Sequence, residues 1–218
     1  MTDIRPTTDE KEIVLFDLAA SPNNMKARIA LNFKGLPFRK IPVDPMDRAP
    51  IIEASGQPLT PVLLHGDTVV YDSRAILRYL DTNFRDTPPL FSSDKETMSE
   101  IERLEKYARN ALSEGVGIIF AEALSGDPDP EACQRASKLL NESSAMLEER
   151  LQTSDWLVDD RMTAADVTAA PIVFTGMLPA EIGRTGPIAQ FFVDNFKLGE
   201  GREKTREWAL RVMAYDHT

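Results

Sequence analysis

Between Asp86 and Asp94 the chain changes the period of its apolar residues, and no other feature narrows its fold as much. Before that break, short apolar runs of strand length alternate with helical patterns. IVLF, Ile13 to Phe16, reads as a buried strand. KARIALNFKG follows, with Ala27, Ala30, Leu31 and Lys34 at helical spacing and Gly35 where a helix stop belongs. Leu36 to Asp44 reads as a second strand, with Pro37 and Pro42 marking edge-like margins. A short helical patch spans Pro50 to Ala54, and PVLLH and TVVY then flank Gly66-Asp67, a two-residue hairpin signal of type II′. Ser73 to Phe84 closes the segment as a helix. The order β-α-β-(α)-β-β-α implies a parallel pair through a right-handed crossover, extended by antiparallel strands. After DTPPLFSSD the period is helical throughout, so the expected architecture is a mixed-sheet α/β domain at 13–85, a linker at 86–94 and an all-α domain at 95–218.

Within the second part, Met98, Ile101, Leu104, Ala108, Ala111, Leu112 and Ile119 mark one long helix with Gly115 and Gly117 inside it. Each glycine costs about 1 kcal/mol relative to alanine, so a bend or a close neighbour is expected there. GDPDP breaks the helix, and Ala132, Ala136, Leu140, Leu147 and Leu151 mark a second. Thr163 with Asp166 three residues on is a capping box, with Asp in place of the usual Glu. Shorter helical patches follow at 188–196 and 203–213, and residues 1–12 read as a loose arm.

Composition excludes several classes of function. The 218 residues carry 25 basic and 35 acidic side chains, a net charge of -10. An acidic surface disfavours nucleic-acid and anionic-membrane partners. A single cysteine, Cys133, excludes an intramolecular disulfide framework and points to a reducing compartment. No apolar run reaches the roughly 18 residues of a membrane span, and the first residues do not read as a signal peptide. The chain holds no CxxC, HExxH, GxSxG, GxxxxGK[ST] or GxGxxG, and its two histidines, His65 and His217, suit no metal site.

Three features carry chemistry. Ser21-Pro22-Asn23-Asn24 starts the first helix with a favoured N-cap and proline at the first helical position. A capped helix needs no more than this. The sharper reading places an anion, specifically a thiolate, at the helix N-terminus, with the Ser21 hydroxyl and the Asn23 amide donating to sulfur. Thr60-Pro61 opens a strand-like run with a residue that cannot donate to a ladder. Either the proline is trans on an edge strand, or a cis bond leaves the Thr60 N–H and C=O free to pair with an extended ligand. Asp72-Ser73 sits at a strand-to-helix junction, where either residue can cap the helix or the pair can receive an amino-acid group.

Taken together, the sequence resembles the cytosolic glutathione transferases, with a thioredoxin-like N-terminal domain and an all-helical C-terminal domain. TPVLLHGDTVVYDSRAILRYLD is similar to the family's proline, hairpin and acidic-Ser signature, and DWLVDDRMTAADVTAAP to its capping-box helix. SPNNMK is similar to the T/S-P-N-x-x-K start of nu-class and related proteins, and KARIALNFKGLPF and DTPPLF to the fungal and bacterial branch related to lignin etherases. The resemblance implies that Ser21 and Asn23 contact the glutathione sulfur, that Thr60, before a cis Pro61, pairs with the cysteinyl backbone, and that Asp72 and Ser73 bind the γ-glutamyl group. Arg48 and Gln57 are the candidates for the glycine carboxylate. No tyrosine or cysteine lies between Asp17 and Lys26, which argues against a tyrosine-activated class and an enzyme-thiol mechanism. The function implied is conjugation of glutathione, as co-substrate, to a hydrophobic electrophile. That electrophile is expected between the Ser21 loop and the first long helix, near Arg103, Tyr107 and Phe120. The alternatives are glutathione-dependent peroxide or disulfide reduction and a non-catalytic glutathione-binding module. A cytoplasmic homodimer with no metal, nucleic-acid or membrane partner completes the expectation.

Overall fold

A computed structural model describes residues 12–177 and 186–217. The arm expected at 1–12 lies outside the described residues except for Glu12. The chain divides into two units, Met1–Phe91 with Tyr215–Thr218 and Ser92–Ala214. Residues from Tyr215 onward, read from the sequence as the end of the helical domain, thus group with the first unit. The physical reason is a set of polar contacts to its first helix, described below.

In the first unit the elements are β1 (Ile13–Asp17), α1 (Pro22–Phe33), β2 (Phe38–Pro42), α2 (Ala49–Ser55), β3 (Val62–His65), β4 (Thr68–Tyr71) and α3 (Ser73–Asn83). The sheet order is β2-β1-β3-β4. β1 pairs in parallel with β2, Ile13 opposite Phe38, and antiparallel with β3, Phe16 opposite Val62. Every residue of β1 is buried, which is why its apolar run is continuous rather than alternating. β2 is an edge strand, as its flanking prolines require. The hairpin turn places Gly66 at φ +56°, the left-handed region a first central glycine supplies without strain. Phe16, Ile51 and Val62 form an apolar cluster with Ile41, Val43, Ala54 and Leu64, which fixes α2 against the sheet.

Helix α1 departs from the one-faced pattern expected from Ala27, Ala30, Leu31 and Lys34. Residues 24–31 are all buried, including Asn24, Lys26 and Arg28. The segment after α3 is also not a loose tether. Asp81 accepts from the Leu90 and Phe91 N–H groups at 2.8 and 3.1 Å, and the buried Lys34 ammonium bonds Asp81 at 2.7 Å and the Pro88 carbonyl at 2.9 Å. A lysine this buried needs such partners, and these two fold the chain back onto the first unit.

The second unit contains α4 (Lys95–Tyr107), α5 (Ser113–Leu124), α6 (Pro130–Leu151), α7 (Ala164–Thr175), α8 (Pro187–Asn195) and α9 (Glu203–Met213). The long helix expected from Met98 to Ile119 is interrupted by a π-helical turn at Ala108–Leu112. A β-carbon on Gly115 would lie 2.9 Å from the Ala136 carbonyl oxygen of α6, so close packing accounts for that glycine. Gly117 has open space around it, and nothing in the structure explains it. The capping box forms as expected. Asp166 accepts from the Thr163 N–H at 2.9 Å, and α7 behind it is buried on nearly all sides. On α6, Glu148 takes the Lys204 and Thr205 N–H groups and the Thr205 hydroxyl, so it caps α9 from a neighbouring helix. Burial pushes its carboxyl up, but the Thr205 and Lys204 donors outweigh this and hold it below the ordinary value.

Glu100 on α4 bonds both Arg103 and Arg150. The hydrogen bond from Arg103, the larger effect, and the Arg150 charge lower its carboxyl from 4.5 to about 2. A lowered native pKa stabilises the fold above the unfolded value and loses that contribution as pH falls through the native one. The stability difference between the native chain and Glu100→Gln should therefore be constant above about pH 4.5 and shrink toward zero by about pH 2, read from denaturant midpoints.

Candidate functional site

The β1–α1 junction is built to present Ser21. Its backbone is extended at the N-cap, its N–H bonds the Leu18 carbonyl at 2.9 Å, and its side chain takes no capping bond. The half-buried hydroxyl is therefore available to something other than its own helix. Pro22 opens α1 without an N–H, and no hydrogen bond within the described residues occupies the Asn23 N–H. The Asn24 and Met25 N–H groups both donate to the Ser21 carbonyl at 3.0 Å, so one N–H, that of Asn23, stands open at the positive end of the helix, which suits an anion.

Asn23 is exposed, and its side-chain oxygen accepts from the buried Lys26 ammonium at 2.9 Å. With the oxygen held, the amide nitrogen remains as a donor. Next to it, Asn24 is fully buried and spans the junction. Its oxygen accepts from the Leu18 N–H at 3.1 Å and its amide donates to the Thr60 hydroxyl at 2.9 Å. Asn24 thereby brings the Ser21 loop and the Thr60-Pro61 segment together.

The Thr60-Pro61 bond is cis, and Pro61 is buried at the entry to β3. Among the described residues, neither the N–H nor the C=O of Thr60 has a hydrogen-bond partner. An extended chain could pair with both as an added strand does. Gln57 is spent nearby. Its amide donates to the Ser55 hydroxyl and the Leu59 carbonyl, both at 2.9 Å, and its oxygen accepts from the Leu59 N–H at 2.7 Å. It shapes the loop before Thr60 and has no donor to spare for a carboxylate. Arg48 is the N-terminal flanking residue of α2, and its guanidinium forms no ion pair among the described residues.

Asp72, and not Ser73, is the N-cap of α3. One carboxylate oxygen accepts from the Arg74 N–H at 2.6 Å and the Ala75 N–H at 3.2 Å. Its second oxygen and the Ser73 hydroxyl make no hydrogen bond among the described residues. Asp72 also holds φ +66°, a conformation that costs a non-glycine residue about 1–3 kcal/mol and concentrates at functional positions.

The three second-substrate candidates all lie in the helical unit, each engaged there. Arg103 forms a two-pronged pair with Glu100, Tyr107 donates to the Ser143 carbonyl at 3.1 Å, and Phe120 packs edge-on against Phe192 at 4.8 Å. Cys133 is buried, and desolvation, with Glu122 and Asp129 nearby, pushes its thiol up, as suits a packed rather than a reactive sulfur. His65 is held by the Tyr79 hydroxyl at 2.8 Å.

Sequence reasoning passed over Asn24, Arg28 and Asn32. Their spacing of four along α1 puts them on one stripe, and polar residues at that interval are the available signal.

Two family models match the chain. The Glutathione S-transferase, N-terminal domain covers residues 15–88, and the Glutathione S-transferase, C-terminal domain covers residues 90–214. Among curated relatives, FtsZ-localized protein A of Caulobacter vibrioides is 30% identical over 173 residues, 73% of this chain and 75% of that protein. Glutathione S-transferase F10 of Arabidopsis thaliana is 28% identical over 174 residues, 74% of this chain and 79% of that one. Among solved structures, rice GST1 in complex with glutathione aligns with a TM-score of 0.74 and 24% identity, over 94% of this chain and 87% of that one.

Proposed function

The chain belongs to the glutathione S-transferase family, and from that premise we propose that it binds glutathione in its first unit and activates the thiol for attack on a hydrophobic electrophile. In this reading the tripeptide lies along the open N–H and C=O of Thr60, its γ-glutamyl group reaches Asp72 and Ser73, and its sulfur meets the Ser21 hydroxyl and the Asn23 amide. The thiol loses its proton to solvent. The thiolate then forms the new carbon–sulfur bond, and the leaving group departs with the bonding pair. The protein supplies orientation and a stabilised anion, and it forms no covalent intermediate. The observation that carries this reading is the Ser21 hydroxyl. It makes no capping bond at a helix N-terminus where the Asn23 N–H is open, and Asn24 links the Leu18 N–H of its loop to the hydroxyl of Thr60, whose backbone has no partner among the described residues. The chain then acts as a homodimer in the cytoplasm, with glutathione as co-substrate.

Removal of one donor to the thiolate tests the assignment. A hydrogen bond to a charged group is worth roughly 1.5–3 kcal/mol, which is about 1–2 pH units on the bound thiol. Ser21→Ala and Asn23→Ala should each lower turnover of an activated aryl chloride at neutral pH about tenfold or more, with partial recovery at alkaline pH. Glutathione affinity should stay largely intact. Unchanged turnover in both variants would place the activating group elsewhere.

A second reading has one observation in its favour. FtsZ-localized protein A carries a name for localisation and not for a transfer reaction, and it matches three-quarters of its length to this chain. A module of that kind would bind glutathione, or not, without lowering the thiol's pKa, and calorimetry together with turnover separates the two.

A further inference from the structure

The loop between β1 and α1 is held by backbone bonds at Asp17, Leu18 and Ser21 and by one buried side chain. Asp17 C=O accepts from the Val43 N–H, Leu18 N–H donates to Asn24, and Leu18 C=O accepts from the Ser21 N–H. Two further groups, the Asp17 carboxylate and the Ala19 carbonyl two residues before Ser21, both accept from Arg28. Arg28 lies one turn after Asn24 on the same stripe of α1 and is buried. Its guanidinium is a planar fork with donors in fixed directions, so the position of Ala19 depends on how that plane is held.

Asp216 holds the plane. It takes Arg28 in a two-pronged bond, Nε to Oδ1 at 2.6 Å and Nη2 to Oδ2 at 3.0 Å. The segment that delivers it is clamped on both sides. The Asn32 amide donates to the Tyr215 and His217 carbonyls, each at 2.8 Å, and the Tyr215 ring meets the Phe33 ring edge-on at 5.5 Å. Two carboxylates and a carbonyl thus converge on one buried cation, and only the pair with Asp216 is bidentate.

We propose that Asp216 is a positioning residue for the sulfur site, acting through Arg28 to hold the Asp17–Ser21 loop and hence the Ser21 hydroxyl. This rests on the assignment of Ser21 to the glutathione sulfur. Asp216 touches no substrate in this account; it sets the place of a group that does. A fold-stabilising pair alone would have no effect on the bound thiol.

The test is the ultraviolet thiolate titration of bound glutathione in the native chain, Asp216→Asn, Ser21→Ala and the double variant. Asp216→Asn keeps the side chain's shape but can no longer accept from both Nε and Nη2. It should raise the bound thiol's pKa by about one pH unit, a tenfold loss of thiolate, while glutathione affinity changes less than about threefold. In the Ser21→Ala background the same change should add nothing, because the two act on one hydroxyl. Asn32→Ala, which frees the Tyr215 and His217 carbonyls and leaves Arg28 intact, should move the thiol in the same direction by less. An unmoved titration in both Asp216→Asn and Asn32→Ala overturns the proposal, as does a full shift that persists in the Ser21→Ala background. If native protein with bound glutathione shows no lowered titration at all, the sulfur-site reading itself falls, and this proposal with it.

Discussion

Replacing Asp166 by alanine is expected to cost on the order of 4 kcal/mol of stability, close to the whole margin of an ordinary domain. The carboxylate is fully buried and accepts four hydrogen bonds: the Leu157 N–H at 2.9 Å, the Thr163 N–H at 2.9 Å, the Thr163 hydroxyl at 3.0 Å and the Trp208 indole N–H at 2.8 Å. The Thr163 hydroxyl can turn to another acceptor, but the other three donors cannot. Each buried donor left without a partner costs about 1–3 kcal/mol. The same residue joins the turn before α7, the cap of α7 and the middle of α9, so its loss loosens three elements at once. Asp166→Asn should recover part of this, since its single oxygen keeps either the Leu157 and Trp208 pair or the Thr163 pair, and its amide then faces donors. Urea midpoints at constant slope measure both variants. A loss of less than about 1 kcal/mol for alanine would show that the four bonds are not what holds α7 in place.

Asp72→Ala is expected to lower glutathione affinity by roughly tenfold or more, because a hydrogen bond to a charged group is worth about 1.5–3 kcal/mol. Its cost in folding should be nearer that of a lost cap, about 1 kcal/mol, for the Arg74 and Ala75 N–H groups stand at the helix end where water can reach them. Backbone strain complicates alanine, which tolerates φ +66° less well than aspartate does. Asp72→Gly removes that complication. It should lose as much affinity as alanine while folding better. Calorimetry that finds affinity unchanged while stability falls in both would make Asp72 a cap and nothing more.

The residues that the sequence made legible are those whose chemistry is local. Gly66-Asp67, the Thr163–Asp166 box and the Asp72 cap each act within a few positions, where turn and helix-end geometry demands particular residue types. Pro61 was legible as an anomaly at a strand's start, and the family signature around it supplied the cis form. What stayed hidden depends on distant chain. Arg28 meets a partner 188 positions away, Lys34 one 47 away and Asn24 one 36 away. A pattern read on one helix shows that these residues are polar and carries no sign of what they meet. The π turn at Ala108–Leu112 was hidden for another reason, since the apolar period continues through it. Gln57 is a carboxylate candidate in the sequence, yet its own loop takes both of its amide donors, which no local pattern shows.

The central claim is that this chain stabilises a glutathione thiolate, and the absorbance of the bound thiolate against pH tests it most directly. A free thiol of this kind titrates near ~8.5. With the Ser21 hydroxyl, the Asn23 amide and the open end of α1 all favouring the anion, the bound thiolate band should appear well below that value and be largely developed at neutral pH. A band that rises only with the free thiol's own titration, at saturating glutathione, would contradict the account and leave a protein that binds glutathione without activating it.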